Sequence, residues 1–137
     1  MKALLVVLAA CGAAPTPATS SDVAFDKLDH DHKIAFMKQQ VVPAMKPLFQ
    51  THDAAKFGDF GCKTCHGKQA EDGKFDMPNP DLPKLDFGNM GQFKPADIAW
   101  MKTDIMPTMA TLLKLPPHSE DNPNGFGCLG CHTQVGG

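Results

Sequence analysis

Five residues, Cys62-Lys63-Thr64-Cys65-His66, return as Cys128-Leu129-Gly130-Cys131-His132 sixty-six positions later. This doubled Cys-x-x-Cys-His run limits what the chain can fold around more than any other feature. Thiols three residues apart sit on one side of a helical turn, and the His that follows presents its imidazole from that same side. The run is the attachment signature of c-type haem: the thiols add across the porphyrin vinyl groups and the imidazole meets the iron. Axial ligation, hydrogen bonding and burial then set the iron's potential. Two other chemistries use the same cysteines. Four thiolates in two Cys-x-x-Cys pairs bind one zinc in a ribbon-like site, and paired thiols form redox-active pairs or plain disulfides. Neither requires a His directly after the second Cys, yet both copies have one.

A chain of 137 residues suits one compact domain or two small half-domains. Nine Phe, one Trp and no Tyr, beside twelve Gly and twelve Pro, imply short elements, many loops and a modest core. Two buried porphyrins would supply much of the apolar volume that such a core lacks. All thirteen basic residues are Lys; they are mixed with fifteen acids for a net charge of −2. That balance excludes the strongly basic face of a nucleic-acid binder.

Residues 1–10 read as a signal peptide: Lys2 precedes an apolar run of eight residues, too short to span a bilayer as a helix. Leu8-Ala9-Ala10-Cys11 resembles the lipobox of bacterial lipoproteins, which implies lipidation of Cys11 as the new N-terminus; a free thiol in an ordinary signal peptide is the alternative. Residues 11–21 then form the lipidated Cys and a flexible tether, small, polar and proline-broken. Gly12 stands where an Asp would signal inner-membrane retention. By resemblance to Gram-negative lipoproteins, the expected location is the periplasmic side of a bacterial membrane, the outer membrane.

The rest of the chain divides into a first haem unit, residues 22–90, and a second, residues 91–137, within one compact domain. Residues 34–45 and 98–109 match at six of twelve positions, with Phe36/Trp100 and Val41/Ile105 as conservative exchanges. Phe-Gly precedes each motif, as Phe60-Gly61 and Phe126-Gly127. The chain is therefore an internal repeat, each unit reading helix, loop, Cys-x-x-Cys-His. Ile34, Met37, Val41, Met45 and Leu48 share a helix face, as do Ile98, Met101, Ile105, Met109 and Leu112. Asp29 or Asp31 suits the N-cap of the first helix, and Pro95 the first residue of the second. Pro43 and Pro107 are expected to bend or restart their helices. Residues 75–83, rich in Pro, are expected to run extended over an apolar surface. No segment alternates with period two, so the expected fold class is mainly α, a small loop-rich c-type cytochrome with little or no sheet.

Given haem, His66 and His132 are the proximal ligands. Paired haems in paired units most simply use paired distal ligands. His30, His32, His52 and His118 have no His counterpart at the repeat spacing, whereas Met37/Met101 and Met45/Met109 do. Met37 and Met101 read as core, His30 and His32 as solvated helix-start residues, and His52 and His118 as weaker ligand candidates. From Met45 to His66 and from Met109 to His132, the arrangement resembles the cytochrome subunit of bacterial photosynthetic reaction centres. That subunit repeats a helix bearing an axial Met, a turn and Cys-x-x-Cys-His. The resemblance implies Met45 and Met109 as sixth ligands. The present chain has two units where the subunit has four, and helix prolines besides, so no photosynthetic role is implied. Met77, followed by Pro78, resembles the ligand loop of small single-haem cytochromes c and is the alternative for the first haem.

These readings converge on a dihaem c-type cytochrome, membrane-anchored by lipid at Cys11, an electron carrier between redox protein partners and not an enzyme. A haem enzyme with one open iron, as in dihaem peroxidases, and a zinc module built on Cys62, Cys65, Cys128 and Cys131 are the alternatives.

Overall fold

The structure, a computed structural model, describes residues 23–136; the signal peptide, Cys11 and the tether lie outside them. Within this span run α1 (His30–Phe36), α2 (Val42–His52), α3 (Cys62–His66), α4 (Pro95–Trp100) and α5 (Met106–Leu113). The chain is mainly helical, and among the described residues no strand forms; isolated bridges pair Asn79 with His132, Leu85 with Gln134 and Pro117 with Phe126. No described helix is long and apolar enough to cross a membrane.

Two rods dominate. The first starts where the Asp29 carboxylate accepts the His32 N–H at 2.9 Å, satisfying a donor that has no partner inside the helix. A π-helical turn, Met37–Val41, carries α1 into α2 without a break, and a second, Met101–Ile105, carries α4 into α5. Proline chemistry explains both. Pro43 and Pro107 have no N–H to give, and their rings crowd the carbonyl four residues earlier. The helix answers by widening rather than by restarting: the Val42 N–H bonds to the Met37 carbonyl, and the Met106 N–H to that of Met101. Such single π turns relieve crowding inside an otherwise regular helix. Both prolines lie on the solvent side, where a freed carbonyl meets water. A third proline, Pro47, sits inside α2; its counterpart in the other rod is Thr111, whose hydroxyl donates to the Pro107 carbonyl at 2.9 Å.

The rods pack reciprocally, α2 on the second rod's π turn and α5 on the first's. Val41, Met45, Phe49 and Phe60 form the centre of the contact, with Trp100, Met101, Ile105, Met109 and Leu112 packed against them from the second rod. Burying each large apolar side chain contributes about 1.5–3 kcal/mol. Phe49 also meets Phe57, Phe60 and Trp100 with ring centroids 4.9, 4.7 and 4.9 Å away, in edge or tilted orientations that favour the ring quadrupoles. His52, at the end of α2, stacks flat on Trp100 at 3.9 Å and bonds through Nε2 to Asp97 at 2.8 Å. It thereby pins the end of one rod to the start of the other.

Candidate functional site

The first motif is the helix α3, tied to the core by the residue that enters it. Phe60 is buried in the rod cluster, so the following Gly61 starts the turn at the edge of the core. The Gly61 N–H donates to the Thr64 hydroxyl at 3.1 Å, closing the turn. Cys65 packs against the same cluster. Burial pushes its thiol up to about 12, with smaller contributions from the neighbouring thiols of Cys131 and Cys62. His66 meets the ring of Phe75 edge-on at 5.3 Å. Burial holds its imidazole below the usual value, against a weaker pull from the Phe75 backbone. A neutral imidazole is the form that ligates a metal.

The second motif is a tight turn, Cys128–Gly130, continued by Cys131 and His132. The N–H groups of Cys131 and His132 both reach the Cys128 carbonyl, at 3.2 and 2.9 Å. Phe126 does not enter the rod core as Phe60 does. Its ring lies on Gly130, where an added Cβ would come within 2.7 Å of it. Here the repeat diverges: Gly130 replaces Thr64 because the aromatic ring occupies that space. Burial pushes the Cys131 thiol up to about 11, and the Cys128 thiol adds to the effect. The His132 ring is oriented by its Nδ1, 2.9 Å from the Pro83 carbonyl. A carbonyl only accepts, so Nδ1 carries a proton, and in the neutral ring that tautomer leaves the lone pair on Nε2. That is how metal-bound imidazoles are commonly held.

Residues 79–85 form a strap between the motifs, and sequence reasoning did not single out its central residue. Asn79 is fully buried. Its side-chain amide donates to the Cys65 carbonyl at 2.9 Å, and its backbone N–H donates to the Cys131 carbonyl at 2.9 Å. Its Oδ1 accepts the Asp81 N–H at 2.9 Å and its carbonyl the Leu82 N–H at 3.2 Å. Further along, Leu85 is bonded to Thr133 and Val135 at 2.9 and 3.0 Å. Gly67, with φ +68 and ψ −159, lets the chain leave the first motif against this strap. A Cβ there would stand 2.6 Å from the Asp81 carboxylate and 2.9 Å from Asn79 Nδ2. An expected apolar wrap over residues 75–83 thus turns out to be a polar clamp. The one available signal was an Asn followed by Pro80 within a proline-rich stretch, and it names no partner.

The proposed distal residues lie elsewhere. Met45 is 0 % exposed at the centre of the rod contact, and Met109 packs against that cluster from the other rod. Cys65 joins them there, while His132 is bonded to the strap. Met77 is half-buried two residues before Asn79. Met37 and Met101 pack against the core. The remaining imidazoles are otherwise engaged: His52 by Trp100 and Asp97, His32 by Asp29 at 2.6 Å, and His118 by the Pro123 carbonyl at 2.9 Å. His30 is exposed. A cavity of about 410 Å³ opens beside the first motif, lined by Phe57, Asp59, Lys63 and Thr64 among others but not by His66.

These features bear on which group the motifs suit. The four motif cysteines are free thiols, with no disulfide among them. No three His, Cys, Asp or Glu side chains among the described residues converge as a metal site. Haem needs no such convergence: one imidazole and two neutral thiols per motif suffice. Among the described residues, the buried side-chain polar atoms without a partner are His66 Nδ1 and Thr133 Oγ1. One belongs to the first motif and the other directly follows the second. Buried polar atoms are nearly always satisfied; neither of these is an atom that haem attachment would use, which would be the motif sulfurs and the imidazole Nε2 atoms. The free thiols of both motifs and the His132 ring held through Nδ1 are the groups that haem attachment would require. No known protein family, curated protein or solved structure matches the chain.

Proposed function

We propose that the chain is a dihaem c-type cytochrome that passes single electrons between redox protein partners. Cys11 would anchor it by lipid to the periplasmic side of a bacterial outer membrane. The observation that carries the reading is the pair of Cys-x-x-Cys-His turns, each holding two free thiols beside an imidazole available as a ligand. The reciprocal packing of the two rods, with a π turn at the same place in each, is what two copies of one helix–loop–motif unit would produce.

Bound haem c supplies a reversible one-electron couple. Cys62 and Cys65 would hold one porphyrin through thioethers, and Cys128 and Cys131 the other. His66 and His132 would ligate the irons through Nε2. For His132, the Pro83 carbonyl keeps the proton on Nδ1 and fixes the ring plane. Burial of the His66 ring, which meets Phe75 edge-on, lowers its pKa and favours the neutral imidazole. Met45 and Met109 are the proposed sixth ligands, supported by their equivalence in the repeat and by their shared cluster with Cys65; Met77 is the alternative for the first iron. With Met and His both as ligands, a bound haem would have a raised potential and would offer substrate no open coordination position, which favours a carrier over an enzyme.

Intact mass spectrometry of protein matured in a cytochrome-c-competent host tests this directly. The expected mass is that of the polypeptide plus two haems. A colourless product at the bare polypeptide mass would refute the reading.

A further inference from the structure

We propose that Asn79 is a positioning residue that clamps the two Cys-x-x-Cys-His segments at one fixed separation; the role rests on the haem reading above. Three observations carry it. First, one side chain and its own backbone reach both motifs, each through the carbonyl of the second Cys: Cys65 through Nδ2 and Cys131 through the backbone N–H, both at 2.9 Å. The two attachment segments are therefore held apart by the breadth of one asparagine. Second, Asn79 is 0 % exposed, yet its N–H, carbonyl, Oδ1 and Nδ2 all have partners. A buried amide so completely satisfied specifies one geometry, because any displacement leaves desolvated donors or acceptors unpaired.

Third, the surroundings admit no slack. Gly67 leaves no room for a Cβ against Asn79 and Asp81. The second motif is fastened at three further points: His132 Nδ1 to Pro83, the Leu85 N–H to Thr133, and the Val135 N–H to Leu85. The strap's grip on each motif is independent of the rod core, which reaches the first motif through Phe60 and Cys65. Groups carried on the two motifs move as one body so long as Asn79 holds, and a relay between two such groups needs that constancy.

Soret circular dichroism of the dihaem protein, with its haem count by mass, reads the arrangement. Two haems locked close together give a two-signed exciton couplet; haems free to reorient average it away. Asn79→Asp keeps the acceptor for the Asp81 N–H but sets an oxygen against the Cys65 carbonyl, and Asn79→Ser withdraws from Cys65 without adding charge. Both are expected to bind two haems and to lose at least half of the couplet. Hydrogen exchange of the reduced wild-type protein is the companion measurement, with the Asn79 amide expected to exchange as slowly as the core amides of α2. An undiminished couplet in both variants overturns the proposal. So does an Asn79 amide that exchanges a hundredfold or more faster than the core, which decides the matter if neither variant matures. A wild-type protein without haem would instead sink the haem reading, while exchange at Asn79 still reports the clamp.

Discussion

Met45 has a packing role and a proposed ligand role that a single substitution can separate. Its side chain is 0 % exposed at the rod contact, and it is also a proposed iron ligand. Met45→Ala removes three heavy atoms from a close-packed site, and such truncations cost about 2–5 kcal/mol. At roughly 4 °C per kcal/mol for a domain of this size, the melting midpoint should fall by about 8–20 °C. That loss is expected whether or not the sulfur binds iron, so the alanine variant alone cannot assign the ligand. Met45→Leu can, because it nearly conserves volume and costs less than about 1.5 kcal/mol while deleting the sulfur. Thermal melts followed by far-ultraviolet dichroism should therefore place Met45→Leu within about 6 °C of wild type. The near-infrared band of the oxidised protein, which reports methionine–iron bonds, should drop by about half, since one of two equivalent bonds is gone. A Leu variant with the full band would show that Met45 is packing alone. Loss of half the band in Met77→Leu would move the ligand to the strap.

Three other outcomes follow from the geometry. Gly67→Ala forces a Cβ to 2.6 Å from Asp81 at φ +68 and ψ −159, a region open essentially to glycine alone. A loss of about 2–3 kcal/mol is expected in urea unfolding, and a change under 0.5 kcal/mol would contradict the tight approach. In the haem-free polypeptide His66 has a depressed folded pKa, so the unfolded chain takes up its proton first. Stability should be full above the ordinary value of 6.5, fall as pH drops from there to the folded pKa, and level off below it. Urea midpoints that stay flat across that window, or a slope retained in His66→Gln, would argue against a buried neutral ring. His52→Ala removes the flat stack on Trp100 and the bond to Asp97. It should cost about 1–2 kcal/mol while leaving haem content at wild type, and a loss of haem would show that His52 does more than join the rods.

Local rules made much of this molecule readable. The helix faces through Met45 and Met109, the Asp29 cap, the start of α4 at Pro95 and the absence of strands among the described residues all depend on residues within a few positions of one another. The turns at the two Cys-x-x-Cys-His runs were legible for the same reason, since each is contained in five consecutive residues. Pro43 and Pro107 marked where the rods would deviate but not how. A widened turn and a broken one answer the same missing N–H, and continuous packing of α2 on the opposite π turn favours the unbroken rod.

The relation between the motifs belonged to tertiary structure alone. Asn79 lies fourteen residues after Cys65 and its backbone meets Cys131 across the fold, and no periodicity or composition encodes a pairing of that kind. The divergence of Phe60 and Phe126 is similar: identical dipeptides lead into both motifs, yet one ring enters the core and the other covers Gly130. Sequence determined the helical elements and the placing of the two Cys-x-x-Cys-His turns because both arise from neighbours along the chain. Tertiary structure decided which carbonyls a buried amide would bind and which aromatic would be sealed, because burial is shared among segments that only folding brings together.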